Sequence, residues 1–449
     1  MGRLFGTDGA RGIANTELTC ELAMNIGKAA AMVLTDETHK RPMVLIGKDT
    51  RMSSDMLESA LAAGLCSVGA DVCSLGVVPT PAVAYLVRLY GADAGVMISA
   101  SHNPCEFNGI KIFNSQGYKL SDALEEEIEN IVIDNAKPYN LKIGGDVGKV
   151  TMAPNAAQDY IDSVKKTVSE NFDGLKIAID CANGSSSVTA KKLFEDLGAQ
   201  AILLAASPNG VNINANCGST HMDHLRNFVV NNNLDIGLAF DGDADRFLAV
   251  DELGNLVDGD QLIAICAKYL KTEGKLNFDT AVVTVMSNLG FFKFCEREGI
   301  QTAKTKVGDR YVLEEMLKHR YTIGGEQSGH IIFHDYATTG DGQLTAVQLL
   351  SILKKTGKTL SELAAEMTKY PQTMINVKVS AIGKARFDDD KEIKLAITTA
   401  EKELGDDGRI LVRISGTEPL IRVMVEGIDK QQIERIASEI AEVVRERLI

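Results

Sequence analysis

Three stretches of the chain repeat one alternation of apolar and polar positions. They run from Pro42 to Gly76, from Leu175 to Ala205 and from Thr280 to Gly308. Each opens with a short apolar run, crosses a polar loop and enters a segment with apolar residues at helical spacing. Each then reaches a Gly followed by Ala or Ile. A second run closes each copy, apolar in the first two and mixed in the third. The pattern predicts strand, helix, strand, a β-α-β unit, three times over. The glycine suits the position just past a helix end. Such units are common, so unrelated copies would read the same way. If they are related, three α/β domains follow, each a mixed sheet with helices on both faces.

Other patterns fill in the order. An Ala-rich helix is expected over Glu21 to Leu34, and the apolar run Ala94 to Ile98 reads as a buried strand. The polar, Gly-rich stretch from Lys137 to Val150 marks a first boundary, the turn at 251–260 a second, and Tyr370-Pro371 a third, after a helical pattern over Leu360 to Met367. The tail differs: strands are expected at 375–380 and within 409–427, helices at 389–404 and 430–448. The last helix sets Ile433, Ile436, Ile440 and Val443 on one face, with Asp429 as N-cap and Gln432 three residues on. The expected fold class is therefore α/β, with three domains of repeated topology (1–152, 153–254 and 255–370) and a smaller α+β domain (371–449).

Composition narrows the function. A chain of 449 residues, 45% of them hydrophobic, can bury several cores and is not disordered. No apolar run nears the ~18 residues of a membrane span, and MGRLFGTDGARG lacks a signal-peptide core. The formal net charge of -14 argues against nucleic acid or an anionic membrane as partner. An anionic substrate would have to meet local positive charge. Eight cysteines stand singly, with no C-x-x-C and no accompanying His pair. They read as reduced thiols of a cytoplasmic protein rather than disulfides or a zinc site.

Four polar strings carry candidate chemistry. The run Ala94–Ile98 delivers Ser99, Ser101, His102 and Asn103 into a loop closed by Pro104, and a serine there can be a nucleophile or carry a phosphoryl group. Asp241-Gly242-Asp243-Ala244-Asp245-Arg246 lies between two apolar runs; three carboxylates at i, i+2 and i+4 can converge on a hard cation such as Mg²⁺. An ordinary acidic turn is one alternative. An EF-hand loop is another, since Glu252 falls at position 12, but its sixth position is Arg246 rather than Gly and its flanks read as strands. A dication would turn a cluster that repels phosphate into one that accepts it.

Arg413-Ile414-Ser415-Gly416-Thr417-Glu418-Pro419, with Arg422, offers backbone N–H groups, hydroxyls and two guanidinium forks for phosphate oxygens, or else a plain hairpin turn. Glu418 would orient an arginine or meet a hydroxyl. Gly324-Gly325-Glu326-Gln327-Ser328-Gly329-His330 is a polar set suited to sugar hydroxyls, or equally a plain polar turn. Arg11, in FGTDGARG, and Lys111, in NGIK, are candidate cations near the chemistry, or equally solvated surface cations. Gly357-Lys358-Thr359 is half a P-loop, but Ile352 stands where the first Gly is required, so it reads as a turn between helices.

Taken together and in this order, FGTDGARG, ISASHNP with NGIK, DGDADR, GEQSGH and RISGTEPLIR resemble the α-D-phosphohexomutase family over essentially the whole chain. NANCGST, KVGDRYV and TTGDGQLTA look like its glucosamine phosphate branch, as does Gln327. Phe107 departs from the family, many members of which carry an acidic residue there. The resemblance implies four domains around a central cleft and a phosphorylated Ser101. It implies Mg²⁺ held by Asp241, Asp243, Asp245 and the Ser101 phosphate, with Arg246 beside it. Glu326 and Ser328 would contact sugar hydroxyls. Arg413, Ser415, Gly416, Thr417 and Arg422 would hold the distal phosphate. Arg11, Lys111 and His330 would be acid–base or charge-stabilising groups.

The implied reaction interconverts glucosamine 6-phosphate and glucosamine 1-phosphate through a sugar 1,6-bisphosphate, supplying the amino-sugar precursor of UDP-N-acetylglucosamine and the cell wall. The implied partner is a small sugar phosphate, and relatives suggest a homodimer. A phosphomannomutase/phosphoglucomutase of the same family, or a sugar-phosphate-binding protein without turnover, are the alternatives.

Overall fold

A computed structural model describes residues 2–6, 8–34, 41–415 and 419–449. All three repeats form strand, helix and parallel strand. The strands are Met43–Lys48 and Asp71–Val77, then Lys176–Asp180 and Gln200–Leu204, then Thr280–Thr284 and Gln301–Thr305. The intervening helices are Met52–Ser67, Ala190–Asp196 and Leu289–Glu298. Gly69, Gly198 and Gly299 follow them with φ of +95°, +97° and +64°, a left-handed turn that an L side chain would strain.

The repetition extends further than the β-α-β unit. In each sheet the first strand also pairs in parallel with a third: Ala94–Ile98, Ile236–Phe240 and Ile323–Gly325. Each third strand then pairs antiparallel with a fourth: Phe107–Asn114, Phe247–Asp251 and Ile331–Phe333. The third strands are buried throughout. This explains their continuous apolar runs, since a central strand covered on both faces has no polar side to show.

The sheets are completed differently. The first has seven strands, because Gly9–Ile13 and Phe5–Gly6 extend one edge and Val150–Met152 adds to the other, beside Asp71–Val77. The second has five, with Leu256–Val257 at its edge, and the third has four. The expected Ala-rich helix is Cys20–Leu34, its alanines 23, 29, 30 and 31 buried. Gly357 ends helix Gly342–Thr356 in a left-handed conformation, and Thr359 caps helix Leu360–Ala364 through a capping box with Glu362. The half P-loop is thus the expected turn, although the second helix stops short of Met367.

The chain divides into two compact units: residues 1–286 with 299–365, and residues 287–298 with 366–449. The second contains an antiparallel sheet, Gln372–Lys378, Leu420–Gly427 and Gly408–Ile414, backed by helices Ala381–Arg386, Lys391–Leu404 and Lys430–Leu448. The first of those helices is absent from the sequence expectation. Asp429 caps the last one, accepting from the N–H groups of Gln431 and Gln432. Its buried face runs Ile433, Ile436, Ala437, Ile440, Ala441 and Val444. Val443 is only half-buried, because three full turns from Ile433 fall at Val444. Glu426 is fully buried in this unit and accepts from Asn288 Nδ2 at 3.1 Å, the Leu289 N–H at 3.2 Å and Arg409 Nε at 2.8 Å. No helix among the described residues is long and apolar enough to cross a membrane.

Candidate active site

The loops that join the third strand to the fourth are where the candidate chemistry sits, once per repeat. The first carries Ser101, the second Asp241 to Arg246, and the third Glu326 to His330. Open α/β sheets display functional loops at the carboxyl ends of their strands. Here three copies of one connection supply a serine, a carboxylate cluster and a polar sugar-type set.

Ser101 is fully buried and its backbone sits at φ +54°. Its Oγ–H donates to Asp241 Oδ2 at 2.5 Å. Arg51 donates to the carbonyl oxygens of Ser101 and Asn103, at 3.1 and 2.9 Å, and to that of Pro104, at 2.5 Å. Asn214 Nδ2 donates to the Ser101 and Asn103 carbonyls at 2.8 and 3.0 Å. Asp49 holds Arg51 through Nε at 2.8 Å and also accepts from Ser99 Oγ at 2.6 Å. Burial, followed by the Arg246 and Arg11 charges, pushes His102 down to about 4, so this ring is neutral at pH 7.

Asp241, Asp243 and Asp245 are all buried, and one carboxylate oxygen from each lies within 4.8 Å of the others. Asp243 Oδ1 and Asp245 Oδ1 have no hydrogen-bond partner among the described residues. Burial, then the charges of Asp245 and Asp243, holds Asp241 well above the carboxylate range. Burial alone would raise Asp243 as well, but Lys111 outweighs it and the carboxyl is lowered. Lys111 Nζ lies 2.7 Å from Asp243 Oδ2, 3.3 Å from Asp245 Oδ2 and 3.4 Å from Asp8 Oδ1. Burial opposes its charge, yet those three carboxylates raise it. Two bare oxygens and a displaced proton in a dry pocket are the donor set of a hard dication.

The other candidates of the same compact unit are Arg11, Arg246, His330, Glu326 and Ser328. Arg11 pairs with Asp8, which Lys119 also meets at 2.8 Å. The Arg246 N–H donates to Asp241 Oδ1 at 3.2 Å, and its Nε is 4.0 Å from Asp245 Oδ1. A backbone bridge joins Arg246 to His330. Glu326 Oε1 accepts from the Gly308 N–H at 3.1 Å, and Ser328 is exposed. In the C-terminal unit, Arg413 and Arg422 stand directly opposite each other on adjacent strands. Burial and then the Arg422 charge lower Arg413, whose buried Nε has no partner among the described residues. Like charges across a strand pair repel unless an anion is shared. Ser415 follows the strand Gly408–Ile414, while Gly416 and Thr417 lie outside the described residues.

Several contributors were not singled out as site residues in the sequence: Asp8, Asp49, Arg51, Thr80, Lys119, Asn214 and Asp309. Thr80 Oγ donates to Asp243 Oδ2 at 2.6 Å, and Lys119 Nζ meets Asp309 Oδ2 at 2.5 Å. Asp49-Thr50-Arg51 follows an apolar strand just as Ser99 to Ser101 does, and that was the available signal.

Comparisons with known proteins agree with this arrangement. Family models described as phosphoglucomutase/phosphomannomutase match in four parts: alpha/beta/alpha domain I over residues 2–138, domain II over 158–254, domain III over 258–370 and the C-terminal domain over 374–443. The chain belongs to the phosphoglucomutase/phosphomannomutase family. Among its relatives, the phosphoglucosamine mutase of Acetivibrio thermocellus is 56% identical over 448 residues, covering 100% of both chains. A phosphoglucomutase/phosphomannomutase family protein of Burkholderia thailandensis has the same fold, with a TM-score of 0.84 at 22% identity over 99% of this chain and 98% of that one. The N-acetylphosphoglucosamine mutase of Aspergillus fumigatus, solved with GlcNAc-6P and magnesium, aligns with a TM-score of 0.68 at 17% identity over 99% of this chain and 96% of that one.

Proposed function

We propose that the chain interconverts glucosamine 6-phosphate and glucosamine 1-phosphate, the reaction of a phosphoglucosamine mutase, by passing a phosphoryl group through Ser101. The observation that carries this is the Ser101 Oγ–H bond of 2.5 Å to Asp241, inside a buried cluster of three carboxylates balanced by Lys111. The full-length identity to phosphoglucosamine mutases supports the amino sugar over glucose or mannose. The fold shared with a fungal mutase solved with GlcNAc-6P and magnesium is in keeping with a sugar phosphate ligand.

Phosphoserine 101 gives its phosphoryl group to the free sugar hydroxyl, forming a 1,6-bisphosphate. The sugar reorients, and the phosphate at its other end returns to Ser101. Asp241, Asp243, Asp245 and the serine phosphate would hold Mg²⁺, which supplies charge neutralisation when bound. Lys111 stays an ammonium among its carboxylates, so it stabilises charge rather than taking a proton. Arginine does not titrate. Of the three candidates, His330 bears the side chain that most often serves as general acid or base. Arg246 lies beside the transferred group. Glu326 and Ser328 meet sugar hydroxyls; Arg413, Ser415 and Arg422, with Gly416 and Thr417, hold the distal phosphate. Both half-reactions can use one distal site, since either phosphate occupies it in turn. Phosphoryl transfer is mostly positioning and charge balance, which such a site provides. The product feeds synthesis of UDP-N-acetylglucosamine and the cell wall, in the cytoplasm. A homodimer completes the reading.

The test is kcat/KM with Mg²⁺ and a trace of sugar bisphosphate, on glucosamine, glucose and mannose phosphates side by side. A preference for glucosamine of about 100-fold, roughly 2.7 kcal/mol in the transition state, is expected. Comparable rates on the other sugars would remove the amino-sugar assignment. Ser101→Ala should abolish turnover, and full activity in that variant would remove the phosphoserine.

A further inference from the structure

His330 is 3% exposed, and neither ring nitrogen has a hydrogen-bond partner among the described residues. A buried ring N–H without an acceptor is costly, so its nearest acceptor matters. Among the described residues, Asp309 is the carboxylate within ion-pair reach, its Oδ2 lying 3.6 Å from His330 Nε2. The opposite constraint is steric. A Cβ on Gly340 would stand 2.5 Å from Nε2 and 2.6 Å from the two neighbouring ring carbons, so the ring fills the space left by that missing side chain.

Asp309 is itself fixed from three directions. Lys119 Nζ meets Oδ2 at 2.5 Å, the Arg310 N–H donates to Oδ1 at 2.9 Å, and the residue opens helix Asp309–His319. Burial would raise this carboxyl, but the Lys119 charge outweighs it and the carboxyl is lowered. Lys119 continues to Asp8, and Asp8 to Lys111 at 3.4 Å, so alternating charges run from the imidazole to the carboxylate cluster. A cavity of about 220 Å³ is lined by Lys119, Asp309 and His330 together.

We propose that Asp309 is the positioning residue for His330, with Lys119 as its counter-charge. The carboxylate fixes the imidazole as the Nε2–H tautomer and leaves Nδ1 as the atom that exchanges a proton with the sugar hydroxyl. This rests on the reading of His330 as the acid–base group. A hydrogen bond on one ring nitrogen decides which tautomer the other presents. Spacings of 3.6 Å at rest commonly shorten when substrate completes a site.

Two measurements test it. The first is ¹⁵N NMR of histidine-labelled, substrate-free protein, read at the resonance that His330→Gln removes. Wild type should show the Nε2–H tautomer, and Asp309→Asn should lose that signature. The second is steady-state kinetics. Asp309→Asn should lower kcat about 10- to 100-fold, the range seen when the group that orients a working histidine is removed, with KM within about threefold. Asp309→Glu should recover part of the loss. In a His330→Gln background Asp309→Asn should have no further effect, as two residues of one unit are not additive. An Nδ1–H ring in wild type, an unchanged kcat in Asp309→Asn, or an equal fold-loss in both backgrounds would each overturn the proposal. A wild type with no turnover would sink the mutase reading instead, and the tautomer would still decide whether Asp309 sets the ring.

Discussion

At Gly340 a single methyl group separates a working imidazole from a displaced one. Gly340→Ala puts a Cβ within 2.6 Å of three His330 ring atoms, and because a side chain rather than backbone is struck, the ring swings instead of the chain unfolding. The expected cost is about 1–3 kcal/mol of stability, as for other overpacked sites. A fall in kcat of about tenfold or more should accompany it, given how steeply rate depends on position. Denaturant titration and steady-state kinetics on the same preparation check both; unchanged kcat would mean that the ring has room elsewhere.

Asp341, the next residue, caps helix Gly342–Thr356 and accepts from Tyr160 Oη at 2.8 Å. Burial pushes its carboxyl up to about 6. The folded protein therefore holds this proton more tightly than the unfolded chain does. Its contribution favours folding below about pH 4 and is lost as pH rises to about 6, on the order of 2–3 kcal/mol in all. Asp341→Asn keeps an acceptor for the cap and removes the titration. In denaturant titrations, the stability of this variant relative to wild type should therefore grow between about pH 4 and 6 and level off above about pH 7. Residues such as Ser101 and Asp243 were legible because each sits in a short polar string behind an apolar run. Asn214 and Asp309 were not: Asn214 acts on a carbonyl 113 positions away, a relation that only folding creates.

Among elements, the strand-to-strand loop is the unit that was reused. Ser101, Asp241 to Arg246 and Glu326 to His330 occupy the same connection in three sheets. The β-α-β part of each repeat was readable because its helices and strands are long enough to show a period. The equivalence of the three loops was not, since Ile323–Gly325 and Ile331–Phe333 have three residues each, too few for a period to show. The neighbouring loop after the first strand has a supporting task in the first domain. Arg51 and Asp49 form an ion pair whose side chains are both 0% exposed, and Arg51 closes on three carbonyls of the serine loop. Arg51→Leu leaves Asp49 buried without its cation, which should cost roughly 3–5 kcal/mol. It also frees the loop that holds Ser101 at positive φ, a conformation that by itself costs about 1–2 kcal/mol. Mass spectrometry after incubation with sugar bisphosphate should show less phosphoserine than in wild type; equal phosphorylation would mean that Asn214 alone holds the loop.

For the molecule as a whole the charge is negative, and so is the buried cluster where three carboxylates meet. A ligand that binds only the folded state stabilises it by mass action, about 2.7 kcal/mol at a hundred times its dissociation constant. Mg²⁺ should therefore raise the melting temperature of wild type in calorimetry, and a chelator should reverse it. Asp243→Asn should melt at the same temperature with and without the ion; a full shift in that variant would place the ion elsewhere. The number of domains was legible from repeats and composition, because each repeat must bury its own core. The exchange of residues 287–298 with the tail was not, because nothing in that helix's pattern names the element it will pack on.

That exchange has a consequence for synthesis. Asn288 and Leu289 leave the ribosome 138 and 137 residues before Glu426, the carboxylate to which they donate. At about 5–20 residues per second this is a wait on the order of 7–28 s. Until then Phe291 and Phe294, both buried in the finished protein, belong to a unit that does not yet exist. Nascent chains stalled between about residues 300 and 400 should therefore be the ones that chaperones hold, and a C-terminal fragment begun at residue 366 would be born without two of the donors that Glu426 needs.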